Sequence, residues 1–128
     1  MKRDARIKAM QILYTCDFQS IEIEEALELE EEKDELAIAL ARACFEKLFE
    51  IDELISNTLI HYTIDRLNLV DKAIIRLAVS ELLEGKEPHQ VIINEALEIT
   101  KLYTDLGDHK AVSFNNRLLD NINKKLQG

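Results

Sequence analysis

Lys2, Arg3, Arg6 and Lys8 are four of the sixteen basic residues of the chain, and they stand within its first eight positions. Clustered cations of this kind suit an anionic partner, above all the phosphates of a nucleic acid. The chain as a whole carries a formal charge of −9, which opposes nucleic-acid binding, so the local distribution decides. Over residues 1–13 the four cations face Asp4 alone, whereas residues 22–35 hold nine acids against Lys33 alone. Cations at a helix N-terminus oppose the macrodipole. Their placement therefore points to an anionic partner or to a basic end facing solvent.

Residue types able to perform catalysis are present without the spacing that catalysis needs. Three residues before His61, His89 and His109 stand Thr58, Lys86 and Leu106, so no Glu-x-x-His metal pair exists. The three glycines, Gly85, Gly107 and Gly128, are too scattered for a phosphate-cradling loop. The acidic run lacks the central glycine of a calcium loop. Cys16 and Cys44 have neither metal-type spacing nor a disulfide framework and read as buried thiols. These features predict a non-enzyme without metal or cofactor. With no signal-peptide pattern and no apolar run of about 20 residues, they also predict a cytoplasmic protein without a membrane partner.

Glycine and proline together number four, which favours helices joined by short loops over a turn-rich sheet. Residues 4–18 read as an amphipathic helix with Ala5, Ala9, Ile12, Leu13 and Cys16 on one face. Residues 22–35 read as a short helix followed by an acidic loop. Leu36, Leu40, Cys44, Leu48, Ile51, Ile55 and Leu59 keep the helical period without interruption. They predict one long helix over 35–60, central to the N-terminal half. Residues 61–65 form the joint, where Thr63 or Asp65 suits a helix cap. Val70, Ile74, Leu77, Ala78 and Leu82 share the face of a further helix that Gly85 ends. Pro88 opens the next, striped by Ile92, Ala96, Ile99 and Tyr103, so the two pack as an antiparallel hairpin. A last helix covers 111–126. The expected fold is all-α, with six or seven helices and with Ile74, Leu77, Ile92, Ala96 and Leu119 buried.

The hairpin carries a resemblance. Arg66-Leu67, Val70 through Ala78, Glu81-Leu82, Pro88, Val91 through Ala96 and Lys101 resemble the NusB transcription antitermination family in order and spacing. The opening, Lys2 through Arg6 with Ala9, Gln11, Leu13-Tyr14 and Asp17, is similar to the family's basic first helix. Phe114 through Asn116 with Leu119-Asp120 is similar to its Phe-Val-Asn-Gly-Val-Leu-Asp segment, although Asn115 and Arg117 replace the Val and Gly. Tyr62 stands where the family often has tryptophan.

The resemblance implies a single domain of two small helical bundles, about 1–62 and 63–128. It implies binding of boxA RNA together with NusE, a small-subunit ribosomal protein, within the RNA polymerase antitermination complex. On this reading Lys2, Arg3, Arg6 and Phe114 contact RNA, with Lys8 joining them by its charge and place. Tyr14, Asp71 and Glu81 face NusE. The competing reading is a helical adaptor that binds protein only. Phe114 taken alone reads as a core residue, and Asp71 alone as a favourable charge at the start of its helix.

Overall fold

A computed structural model describes residues 2–128, and among them seven α-helices and one 3-10 turn form, with no strand. The helices are α1 (Lys2–Gln19), α2 (Ile23–Glu28), α3 (Glu35–Glu46), α4 (Leu48–Thr58), α5 (Leu69–Glu84), α6 (His89–Tyr103) and α7 (Lys110–Gln127). The 3-10 turn, Ile64–Arg66, lies between α4 and α5 and forms without a side-chain cap from Thr63. No helix of the described residues is long and apolar enough to cross a membrane.

The expected single helix over 35–60 is two helices. The chain turns at Lys47, whose φ is −107° and whose N–H donates to the carbonyl of Cys44 at 3.1 Å. No proline or glycine marks the place. The two segments have different partners: α3 packs on α1 and α5, whereas α4 packs on α5 and α7. Tertiary packing overrides a continuous local period here, because burying both faces gains more than keeping one helix straight. The centre of the molecule is accordingly α5, which touches α1, α3, α4, α6 and α7.

Local chemistry explains the ends of α5 and its neighbours. The Asn68 carboxamide oxygen accepts from the Asp71 N–H at 2.8 Å, satisfying an otherwise orphaned donor of the first turn. Gly85 closes the helix at φ +68°, a conformation glycine adopts without the penalty other residues meet. Pro88 stands just before α6, where its missing N–H costs nothing.

One continuous core runs through the molecule, and it includes Ile74, Leu77, Ile92, Ala96 and Leu119, as the stripes predict. Each fully buried Ile or Leu there contributes about 1.5–3 kcal/mol of transfer free energy. Tyr103, expected on the α6 stripe, is 47% exposed because α6 outruns the core at its end. The packing sets α1 antiparallel to α5: Arg6 meets Glu81 near one end and Asp17 meets Arg76 near the other. Arg76 also forks onto Asp52 at 2.8 and 2.7 Å, tying α1, α4 and α5 together.

Candidate nucleic-acid interface

The antiparallel packing brings the start of α1 beside the acidic end of α5, Glu87 in the α5–α6 turn and Glu95 of α6. The basic opening is therefore met by carboxylates from far along the chain. Lys2 donates to Glu87 at 2.9 Å, and Arg3 forks onto Glu95 with both bonds at 2.9 Å. Lys8 donates to the Glu32 carbonyl at 3.1 Å and lies 4.0 Å from the Glu30 carboxylate. The sequence pattern leads one to expect four unpaired cations, and the structure pairs each of them. Local patterning reads only neighbours, whereas these partners come from another part of the fold.

Arg6 differs from the other three. It is 5% exposed and forks onto Glu81, itself 7% exposed, at 2.8 and 2.9 Å, with a longer bond to Glu87 at 3.3 Å. Hydrogen bonds donated to the Glu81 carboxylate hold the Arg6 guanidinium more firmly charged than usual, against the opposing effect of burial. Breaking a buried pair by removing one partner costs about 3–5 kcal/mol, so Arg6 stays where it is. Lys2 and Arg3 are exposed, and water-screened pairs of that kind contribute little. Hydrogen bonds from Lys2 and Arg3 hold the Glu87 and Glu95 carboxyls below the usual range.

Asp71 lies at the opposite end of α5, ten residues from Glu81 and about 15 Å along the axis. It is a junction. Its carboxylate accepts from the Asn68 amide at 2.7 Å, the Thr104 hydroxyl at 2.8 Å and the Asn115 amide at 3.2 Å. Asn115 is fully buried and also donates to the Thr100 hydroxyl at 3.1 Å. This network fixes the end of α6 and the start of α7, and so the backbone that carries Phe114.

Phe114 itself is 38% exposed, so it is a surface aromatic and not a core residue. The Tyr62 ring lies 5.7 Å from it at a tilt of 54°, and the Arg66 guanidinium stands 5.8 Å from the Tyr62 ring centroid. Tyr14, on the flank of α1, stacks nearly parallel on Phe18 at 5.6 Å, and Phe18 is 65% exposed. The sequence-predicted residues thus fall into an end holding Lys2, Arg3, Arg6 and Glu81, an end holding Asp71 and Phe114, and the aromatic pair of Tyr14 on α1.

Sequence reasoning missed Glu87 and Glu95, the partners of the basic opening. An antiparallel α1 on α5 would have pointed to them, since Glu87 sits in the α5–α6 turn and Glu95 nearly two turns into α6. It also missed the Tyr62–Phe114 contact, which spans the two halves of the chain and leaves no local signal.

Comparisons with known proteins agree with the fold. The model of the NusB family matches residues 3–124. The transcription antitermination protein NusB of Bacillus subtilis is 38% identical over 130 residues, covering 98% of this chain and 97% of that protein. A crystal structure of NusB from T. maritima superposes with a TM-score of 0.83 at 35% identity, covering 98% of this chain and 92% of that one. A chain in a crystal structure of the antitermination factors NusB and NusE in complex with dsRNA superposes with a TM-score of 0.79 at 27% identity. It covers 97% of this chain and 96% of that one. With a match of this extent in sequence and in structure, the chain belongs to the NusB family.

Proposed function

We propose that the chain binds boxA-type RNA together with NusE and supports ribosomal RNA transcription within an RNA polymerase antitermination complex, without catalysing a reaction. The observation that carries this reading is the likeness, over nearly the whole chain, to a protein solved with NusE and double-stranded RNA.

The side chains support a division of labour. Lys2, Arg3 and Lys8 exchange their exposed carboxylate and carbonyl partners for phosphate oxygens. The weakness of a solvent-exposed pair makes that exchange inexpensive. Arg6 serves the same end from behind, holding α1 on α5 through Glu81 so that the cations around it keep their spacing. Phe114 offers an exposed ring face to an unstacked base. Tyr14, stacked on the exposed Phe18, supplies an aromatic anchor for NusE. Asp71 and Glu81 contribute to that surface by fixing the two ends of α5.

The pairing of all four N-terminal cations favours a second reading, a protein-only adaptor that reaches RNA solely through NusE. A gel shift with labelled boxA-type RNA, with and without purified NusE, separates the two. Direct binding gives a supershift and crosslinks from RNA to this chain. An adaptor gives the same complex with crosslinks to NusE alone.

A further inference from the structure

The basic opening of α1 is matched charge for charge. Lys2, Arg3 and Arg6 share the wall of an open depression of about 560 Å³ with Asp4, Glu87 and Glu95. Three cations against three acids leave it without net charge, and so without the long-range pull on a polyanion that a bare basic patch would have. The pairs also copy the geometry of phosphate recognition. Arg3 forks onto Glu95 through Nε and Nη2, both at 2.9 Å. Lys2 donates to one oxygen of Glu87 at 2.9 Å and Arg6 to the other at 3.3 Å. A guanidinium grips a phosphate by the same two-pronged arrangement.

The acids are the fixed half of these pairs. The Lys2 and Arg3 side chains are 60% and 44% exposed, whereas those of Glu87 and Glu95 are 24% and 22%. Glu87 stands in the turn between Gly85, at φ +68°, and Pro88. Arg6, itself locked to Glu81, keeps hold of Glu87 when Lys2 leaves. Glu95 projects from α6, whose Ile92, Ala96 and Ile99 are buried in the core. Lys2 and Arg3 can therefore turn outward to a new partner, and the two carboxylates cannot follow them. Any anion that takes the cations leaves two bared negative charges beside itself.

We propose that Glu87 and Glu95 form an autoinhibitory latch: internal counter-ligands that occupy Lys2 and Arg3 in place of phosphate and hold the affinity of the lone chain for RNA low. The inference rests on the RNA-binding reading above and goes beyond it. The individual pairs are weak, but the acids remove the general attraction for polyanions, so a stable complex needs contacts elsewhere, as a joint complex with NusE supplies. The latch also flattens the salt dependence. Phosphates that pair with Lys2 and Arg3 release counterions, while the bared carboxylates take up salt cations and offset that release.

The test is fluorescence anisotropy of labelled oligouridylate with this chain alone, over a range of salt. Glu87→Gln with Glu95→Gln keeps side-chain size and removes the charge. It is expected to raise affinity about three- to tenfold, the combined weight of two partly exposed ion pairs. It should also steepen the log–log salt slope by up to about 1.4, at roughly 0.7 for each of two single-strand phosphate contacts. Glu50→Gln with Glu53→Gln, two exposed acids of α4, changes the net charge equally and is expected to raise affinity less than twofold. In a Lys2→Ala, Arg3→Ala background the Glu87 and Glu95 changes are expected to have almost no effect, because the latch acts through those two cations. Circular dichroism confirms the fold of each variant. A folded Glu87→Gln, Glu95→Gln variant with parental affinity overturns the latch. An equal gain from the α4 pair, or a gain that persists without Lys2 and Arg3, reduces the effect to general repulsion and overturns it too. The RNA-binding reading fails separately, if the parent chain adds nothing to boxA-type RNA binding beside NusE, and the oligouridylate result decides the latch in either case.

Discussion

Arg6→Ala tests how the start of α1 is held. The substitution leaves the Glu81 carboxylate 7% exposed and strips it of both bonds, at 2.8 and 2.9 Å. Removing one partner of a buried pair costs about 3–5 kcal/mol. The pair borders a cavity of about 170 Å³ lined also by Leu36, Leu40 and Glu84, which admits solvent to the stranded charge. The lower end of that range, about 3 kcal/mol, is therefore expected. Glu81→Ala is expected to cost roughly 1 kcal/mol less, because Arg6 keeps Glu87 at 3.3 Å as an alternative partner. At about 2.1 cal/mol/K per residue, the 128 residues give an unfolding entropy of about 270 cal/mol/K, so the Arg6→Ala loss lowers Tm by about 11 °C. Arg6→Met with Glu81→Leu should recover most of the loss, since an apolar pair of similar volume replaces a buried ion pair nearly neutrally. Urea unfolding followed by circular dichroism at pH 7 measures all three. An Arg6→Ala variant within about 0.5 kcal/mol of the parent would show that the pair is solvated and that α1 is held by its apolar face alone.

Asp71→Ala removes the acceptor shared by Thr104 and Asn115 and is expected to cost about 1–3 kcal/mol in urea unfolding. It should also weaken boxA-type RNA binding less than additively with Phe114→Ala, because both act on the same aromatic. Burial pushes the Cys44 thiol up to about 12 and raises that of Cys16. Neither should react with a disulfide reagent in the folded protein near neutral pH, and both should react once concentrated guanidinium unfolds it. Glu87 and Glu95 are held below their ordinary pKa of 4.5 by Lys2 and Arg3, so their contribution to stability is complete above that value and is lost as pH falls below it toward the folded-state pKa. Carboxyl-carbon NMR titration should show both midpoints rising in a Lys2→Ala, Arg3→Ala variant.

The α5–α6 hairpin was legible because its residues carry backbone information: Gly85 takes the left-handed conformation its position requires, and Pro88 precedes a helix it cannot extend. The stripes named the core correctly at Ile74, Leu77, Ile92, Ala96 and Leu119 for the same local reason. The turn at Lys47 was illegible because nothing local causes it; α3 and α4 part to reach different partners. The site was legible as residue types and not as an arrangement. Arg6 and Glu81 are 75 positions apart, and the Asp71–Asn115 bond spans 44, so charge counted along the chain could not reveal that the basic opening is paired. Phe114 taken alone reads as core, yet lies at the surface because Asn115 takes the inward position beside it.

The most direct measurement is titration of a labelled boxA-type RNA with this chain, with NusE, and with both, alongside a scrambled RNA of the same composition. The expected result is that the two proteins together bind boxA-type RNA far more tightly than either alone, that scrambled RNA loses most of that gain, and that ultraviolet crosslinks reach Phe114 or Tyr62. Equal binding of both RNAs, or an affinity for boxA-type RNA that NusE gives by itself and this chain leaves unchanged, would contradict it.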